Sequence, residues 1–218
     1  MTSKCAKTAR RRHLDAAQRF FLATAVSTVL GLAATSANAR DTSPAAQAFE
    51  QQDYDTAMRL SMPQAQNGDA AAQYRLGMMY RFGWGIGRDF SLAREWFEKS
   101  AAQGYGLSAA ELGKIHKDGR GVDKNPVEAV KWFRQGAEDG FGVAQLNLAR
   151  MLRDGEGVPS DPIEAHAWFS LAVDNQYMDA IGHRNRLTAK MTPEQIELAK
   201  ARAIELRKTV KPRTPEEQ

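Results

Sequence analysis

The sequence predicts an all-α protein, a solenoid of stacked antiparallel helix pairs, and three observations predict it. Trp96-Phe97, Trp132-Phe133 and Trp168-Phe169 recur at intervals of 36 residues. Gly83-x-Gly85, Gly119-x-Gly121 and Gly155-x-Gly157 precede each aromatic pair by 13 residues. Asp89, Asn125 and Asp161 share a third column, as do Ala93, Ala129 and Ala165, and Leu76, Leu112 and Leu148. A fixed period of this length denotes supersecondary units stacked on their neighbours rather than one closed core.

The chain of 218 residues opens on a segment read as an address rather than as part of the fold. Lys4, Lys7, Arg10, Arg11, Arg12 and Arg19 precede an apolar run from Phe20 to Ala34, and Ala37-Asn38-Ala39 gives the small-x-small pattern of a signal-peptidase site. The run is shorter than the roughly 20 apolar residues a spanning helix needs. Residues 1–39 are therefore expected to be a cleavable signal peptide, with the mature chain exported to the periplasm or secreted and not stably inserted in the membrane. The whole chain carries 30 basic and 26 acidic side chains. The leader holds six of the basic ones and Asp15, which leaves 24 against 25. The pI of 9.2 thus belongs to the leader, and nucleic acid is not an expected partner. The single cysteine, Cys5, also lies in the leader, so the mature chain is held by packing without disulfides.

Each unit reads as two helices. In the first, Ala72, Leu76, Met79 and Tyr80 share a face. Gly77 and Gly113, with Ala149 in the third unit, leave room beside that stripe for the second helix. The Gly-x-Gly pair suits a left-handed helix end. A phosphate loop is excluded, since no strand precedes these glycines and no Lys-Ser/Thr follows. The second helix opens on Asn125-Pro126-Val127-Glu128 or Asp161-Pro162-Ile163-Glu164, a cap, a proline at the first helical position and a Glu placed to close a capping box. Thr192-Pro193-Glu194-Gln195 repeats the device, and Asp89 caps the first unit. Ala93, Trp96, Phe97 and Ala101 form the buried stripe, the aromatic pair filling the gap between units. Glu95 is expected to pair with Lys99 at i,i+4.

The constellation small-x3-Leu-Gly-x2-Tyr-x2-Gly-x-Gly-x3-Asp-x3-Ala-x2-Trp-Phe-x3-Ala-x2-Gly resembles the Sel1-like repeat, a relative of the tetratricopeptide repeat. Units 70–105, 106–141 and 142–177 carry it, with Ala149, Ile86, Val173 and Gln176 as mild departures. Residues 40–69 read as a degenerate N-terminal helix pair, and 178–209 as a C-terminal capping pair. Ile196, Ala199, Ala203 and Leu206 of that pair are placed to lie over the open end, and 210–218 is expected to be a disordered tail. The resemblance implies a right-handed α-solenoid that binds other proteins, as an adaptor, assembly factor or regulator in a bacterial envelope. A branch of the family associated with β-lactam binding or hydrolysis is stapled by paired cysteines that this chain lacks, so a hydrolase related to that branch ranks as an alternative behind the adaptor and the carbohydrate binder.

On the first helices, the positions opposite the core stripe are Tyr74, Met78 and Arg81, then Ala110, Lys114 and Lys117, then Leu146, Arg150 and Arg153. Stacked, they form a ridge, basic at its rim, that would contact an acidic segment of an envelope protein. Arg81, Lys117 and Arg153 also fall in the last helical turn, where cations complement the macrodipole. A peptidoglycan or carbohydrate binder would instead use exposed aromatics, with Tyr74, Trp84 and Tyr105 as candidates. No catalytic residue, metal ligand or cofactor site is assigned. The histidines of the mature chain, His116, His166 and His183, lack ligand spacing. His116 is expected half-buried in the Tyr80 column and His166 solvated. Neither a His-Glu-x2-His motif nor a Gly-x-Ser-x-Gly elbow is present.

Overall fold

The computed structural model describes residues 41–212. Among them are ten α-helices and no strand: α1 (Pro44–Glu50), α2 (Tyr54–Gln66), α3 (Ala70–Phe82), α4 (Phe90–Ala101), α5 (Gly106–Asp118), α6 (Pro126–Glu138), α7 (Gly142–Asp154), α8 (Pro162–Asp174), α9 (Asp179–Thr188) and α10 (Pro193–Thr209). The expected leader, and all of the tail beyond Pro212, lie outside the described residues. The helices pack in sequence, α1 on α2 through α7 on α8, and both α9 and α10 then dock on α8.

The turn inside each unit is the same three times. The first helix ends at Gly83, Gly119 or Gly155, with φ of 75°, 72° and 71°, a backbone region that costs a side chain. Its N–H donates to the carbonyl of Met79, Ile115 or Met151. The chain then returns so that the cap of the second helix donates its own N–H to the last turn of the first. Asp89 donates to Tyr80 O at 2.9 Å, Asn125 to His116 O at 2.8 Å, and Asp161 to Leu152 O at 2.8 Å.

This corrects the reading of Glu128 and Glu164 as capping-box partners. The N–H each would accept is already engaged, so only the forward arm forms, from Glu128 N to Asn125 Oδ1 and from Glu164 N to Asp161 Oδ1. Glu128 pairs with Lys131 instead. Glu164 accepts from Trp168 Nε1 at 3.0 Å and from Arg202 Nη2 at 3.1 Å, which ties α8 to α10. At Thr192 no such carbonyl takes the N–H, and the reciprocal box with Gln195 is complete. Asn125→Ala should therefore cost about 1 kcal/mol, and Glu128→Gln less than about 0.5 kcal/mol, in urea melts; the reverse order would contradict this assignment.

Phe97, Phe133 and Phe169 have no exposed surface. A Cβ at Gly77 or Gly113 would stand 2.5 Å from Cε1 of Phe97 or Phe133, so the small column is the floor under each ring. The tryptophans differ from expectation. Trp168 is buried, whereas Trp96 and Trp132 are half-buried, because α10 lies over the third unit and no equivalent helix lies over the first two. Lys99 sits 4.3 Å from the Trp96 ring centroid rather than on Glu95, and Arg94 pairs with Glu98 at 3.2 Å. His166 is also a correction. It is buried, and its Nε2 lies 3.0 Å from Thr188 Oγ1, because α9 closes over a position that looks outward within the repeat alone.

Neighbouring units are joined by the second glycine of each loop. A Cβ at Gly85 would lie 2.8 Å from Tyr54 Cβ, at Gly121 2.4 Å from Phe90 Cβ, and at Gly157 2.3 Å from the Pro126 carbonyl oxygen. Tyr54, Phe90 and Pro126 each open the second helix of the preceding pair, so each loop rests on the helix start of the pair before it. Side-chain amides add a second tie. Gln73 Nε2 donates to Ala65 O, Gln145 Nε2 to Ala137 O, and Asn175 Nδ2 to both Gly140 O and Gln145 Oε1.

Candidate functional site

The first helices α3, α5 and α7 are each flanked by two second helices, one from their own pair and one from the pair before. Their free arc is therefore narrow, and the eight ridge residues divide. Arg81 and Leu146 are buried, which corrects their placement on an open face. Tyr74 and Met78 are half-buried in the cluster of Phe97 and Leu112. The Tyr74 ring lies 5.9 Å from Phe97 and 5.3 Å from Tyr105, and burial pushes its hydroxyl pKa up to about 12. Lys114, Lys117, Arg150 and Arg153 remain partly open.

The open cations converge with Arg81 at the loop end of these helices. Glu111, 6 % exposed, carries one negative charge between two cations, pairing with Arg81 Nη1 and accepting from Lys114 Nζ at 2.7 Å. Burial, and then the Arg81 guanidinium, push the Lys114 ammonium down to about 8. Burial and Arg120 lower the pKa of Arg81 as well. Glu156 serves Lys117 at 3.7 Å and Lys124 at 3.4 Å. Arg153 makes two bonds of 2.7 Å to Asp154, and its Nη1 donates to His183 Nδ1 at 3.0 Å. Arg120 pairs with Asp118 at 3.0 Å, and Arg150 has no ion pair among the described residues. In these contacts six cations share four carboxylates, Glu111, Asp118, Asp154 and Glu156.

The aromatic alternative fares differently. Trp84 is sandwiched, with Phe82 at 4.5 Å and 17° on one side and Tyr54 at 5.2 Å and 9° on the other. Neither broad face of the indole is bare, and Tyr74 and Tyr105 pack on Phe97 and Phe141. His183 stacks on Phe169 at 5.7 Å, its pKa lowered by burial first and then by Arg150, Arg186 and Arg153. Among the described residues no group of His, Cys, Asp and Glu is placed to hold a metal ion, and no helix is long and apolar enough to cross a membrane. The amide ties of Gln73, Gln145 and Asn175 have no signal in the main repeat pattern, since Ala109 takes the middle position between the two glutamines.

A tandem array of helix pairs, with its conserved-looking columns spent on packing and its first helices presenting charge, is an α-solenoid of the scaffold class. The chain is a Sel1-like repeat protein: the Sel1 repeat family matches residues 70–105, 106–141 and 142–177. It is similar to the crystal structure of a Sel1 repeat protein from Oxalobacter formigenes, at 29% identity and TM-score 0.55, over 59% of this chain and 97% of that one. It is also similar to c5321, a protective antigen of uropathogenic Escherichia coli strains with the same repeat fold. That match has 25% identity and TM-score 0.54, over 71% of this chain and 41% of that one. No curated protein matches the chain. The right-handed α-solenoid expected from the repeat is the architecture observed. Sel1 repeats generally mediate protein–protein interaction, and the scaffold is typically non-catalytic.

Proposed function

We propose that this protein is an exported, non-catalytic adaptor that holds an acidic segment of a cell-envelope protein against the loop ends of α3, α5 and α7. One observation carries the reading: the single charge of Glu111 is divided between Arg81 and Lys114, so the half-buried cluster lacks an anion. A carboxylate supplied by a partner would complete it, and charge-assisted bonds of this kind are the strong ones. The basic start, apolar run and Ala37-Asn38-Ala39 support export. Carbohydrate binding is the weaker alternative, because the best-placed indole has both faces covered.

The test combines Lys114→Gln, Lys117→Glu and Arg150→Glu. Glutamine is used at 114 because a glutamate there would set a second carboxylate beside Glu111. Crosslinking pull-down from the native envelope, followed by titration with the acidic segment recovered, should show at least about 100-fold weaker binding. The variant's circular dichroism should match that of the parent. Undiminished capture would discard the site.

A pH dependence follows. Lys114 loses its proton near 8 rather than at its ordinary 10.5, so binding should weaken as pH climbs from about 8 to about 10. Lys114→Arg keeps its charge over that range and should hold binding level, since the charged groups around it, Arg81, Arg120, Glu111 and Asp118, are the same in both proteins. Equal decline in both proteins would contradict the role of Lys114.

A further inference from the structure

The outer row of α10 is not used by the fold. Ala199, Ala203 and Leu206 are buried against the rest of the molecule. The flanks are also engaged, since Arg202 pairs with Glu164 and Arg207 with Asp174, both on α8. Opposite them lie Glu194, Glu197, Leu198, Ala201, Ile204, Glu205 and Lys208, all exposed. Leu198 is 57 % and Ile204 53 % exposed, two of the few large apolar side chains this open among the described residues.

Read outward from Ala201, this helix is nearly the same in both directions. Lys200 mirrors Arg202, Ala199 mirrors Ala203, Leu198 mirrors Ile204, Glu197 mirrors Glu205, and Ile196 mirrors Leu206. The sixth pair, Gln195 and Arg207, breaks the mirror pattern, and at the seventh the charges are opposite, with Glu194 on one side and Lys208 on the other. At about 100° and 1.5 Å per residue, Ala201 is the centre of the exposed face. Leu198 and Ile204 then stand about 60° to either side of it and about 4.5 Å up and down the axis. Glu194 and Lys208 lie within about 20° of the centre, each about 10.5 Å away.

A surface with this pattern is self-complementary under one operation, a two-fold axis perpendicular to the helices and passing between the two copies of Ala201, which lays two copies of α10 antiparallel. We infer that α10 pairs with α10 of a second copy of this chain through the row Glu194, Leu198, Ala201, Ile204 and Lys208. Alanine at the crossing point lets the backbones approach. Leucine of one copy and isoleucine of the other come to the same level on either side of it, burying apolar surface that the single chain leaves wet. At both ends Glu194 meets Lys208 of the partner subunit. Glu197 and Glu205 meet at one level; Glu197 is paired within its own helix with Lys200 at 2.7 Å, and Lys208, 2.8 Å from Glu205, stands between that carboxylate and Glu194 of the partner subunit. The sign change at the seventh position sets antiparallel orientation, because a parallel pair would place like charges together. Two helices meeting over about three turns bury less than the roughly 1,000 Å² at which stable specific interfaces begin, so the dimer should exchange with monomer at micromolar concentrations or above. The surface is independent of the Arg81–Glu111–Lys114 cluster, and pairing the capping helices leaves that cluster free on both copies.

Sedimentation equilibrium of the purified protein tests this with Glu194→Lys, Lys208→Glu and their equimolar mixture. Wild type should show a concentration-dependent monomer–dimer equilibrium. Each single reversal sets like charges at both ends and should raise the dissociation constant at least about tenfold. In the mixture, both ends of the heterodimer again join opposite charges, and the dissociation constant should return to within about threefold of wild type. A wild type that stays monomeric up to about 1 mM, a reversed variant that dimerises unchanged, or a mixture that fails to recover would each overturn the pairing.

Discussion

Phe133→Ala should lower the unfolding free energy by about 3–5 kcal/mol, among the largest losses for a single side chain in this fold. The ring has no exposed surface and sits in the middle unit, on the gap that Gly113 leaves open. Truncation leaves a cavity whose walls are two helices held by neighbours on both sides, so collapse is limited. In a solenoid, stability is close to a sum of unit terms and nearest-neighbour interfaces. Weakening the middle unit should therefore also uncouple the ends. Urea melts followed by tryptophan fluorescence and by circular dichroism should coincide for wild type and separate for the variant. A second substitution makes the assignment specific. Gly113→Ala alone should destabilise, because its Cβ would strike the ring at 2.5 Å, but should cost less when Phe133 is leucine. Non-additivity of at least about 0.5 kcal/mol is expected between residues in direct contact. Additive losses would mean that the ring does not rest on the glycine.

The second large effect separates two glycines with nearly equal backbone angles. Gly155 and Gly157 have φ of 71° and 78°. Alanine at either pays the left-handed penalty of about 1–2 kcal/mol. At Gly155 the nearest atom to the new Cβ is 3.4 Å away, and nothing more should follow. At Gly157 the new Cβ would lie 2.3 Å from the Pro126 carbonyl oxygen and 2.9 Å from Val127 N, so the start of α6 must move. That displacement should add about 1–3 kcal/mol. Differential scanning calorimetry of the two variants side by side reads the difference. Equal shifts in Tm would show that the Gly157 loop does not bear on the preceding pair.

Much of this architecture was legible because it is local and repeated. The caps at Asp89, Asn125 and Asp161, the left-handed glycines and the Phe column all follow from chemistry within one unit, written three times. What depends on neighbours was harder to see. A helical wheel gives each first helix a whole free side, but α5 is bounded by α4 and α6, and the wheel carries no sign of α4. The wheel therefore puts Arg81 and Leu146 on open surface, whereas both are buried. His166 reads as outward from its own helix, and only Thr188, outside the repeat, reveals its cover. Glu128 and Glu164 carry the spelling of a capping box, yet the returning N–H is already spent on His116 or Leu152. The charge cluster was half legible. The cations are visible in the last turns, whereas the sharing of Glu111 between two of them requires α3 and α5 to be adjacent.

The central claim is that packing consumes the repeated columns and leaves the loop ends of α3, α5 and α7 to a partner. Photo-crosslinking in the producing cell tests it most directly, with a photoreactive residue in place of Lys117 in one strain and of Lys131, exposed on α6, in another. A discrete protein adduct at 117, absent at 131 and lost when Lys114→Gln and Arg150→Glu are added, is the predicted result. Adducts of equal yield at both positions, or an adduct at 117 that survives those two substitutions, would contradict it.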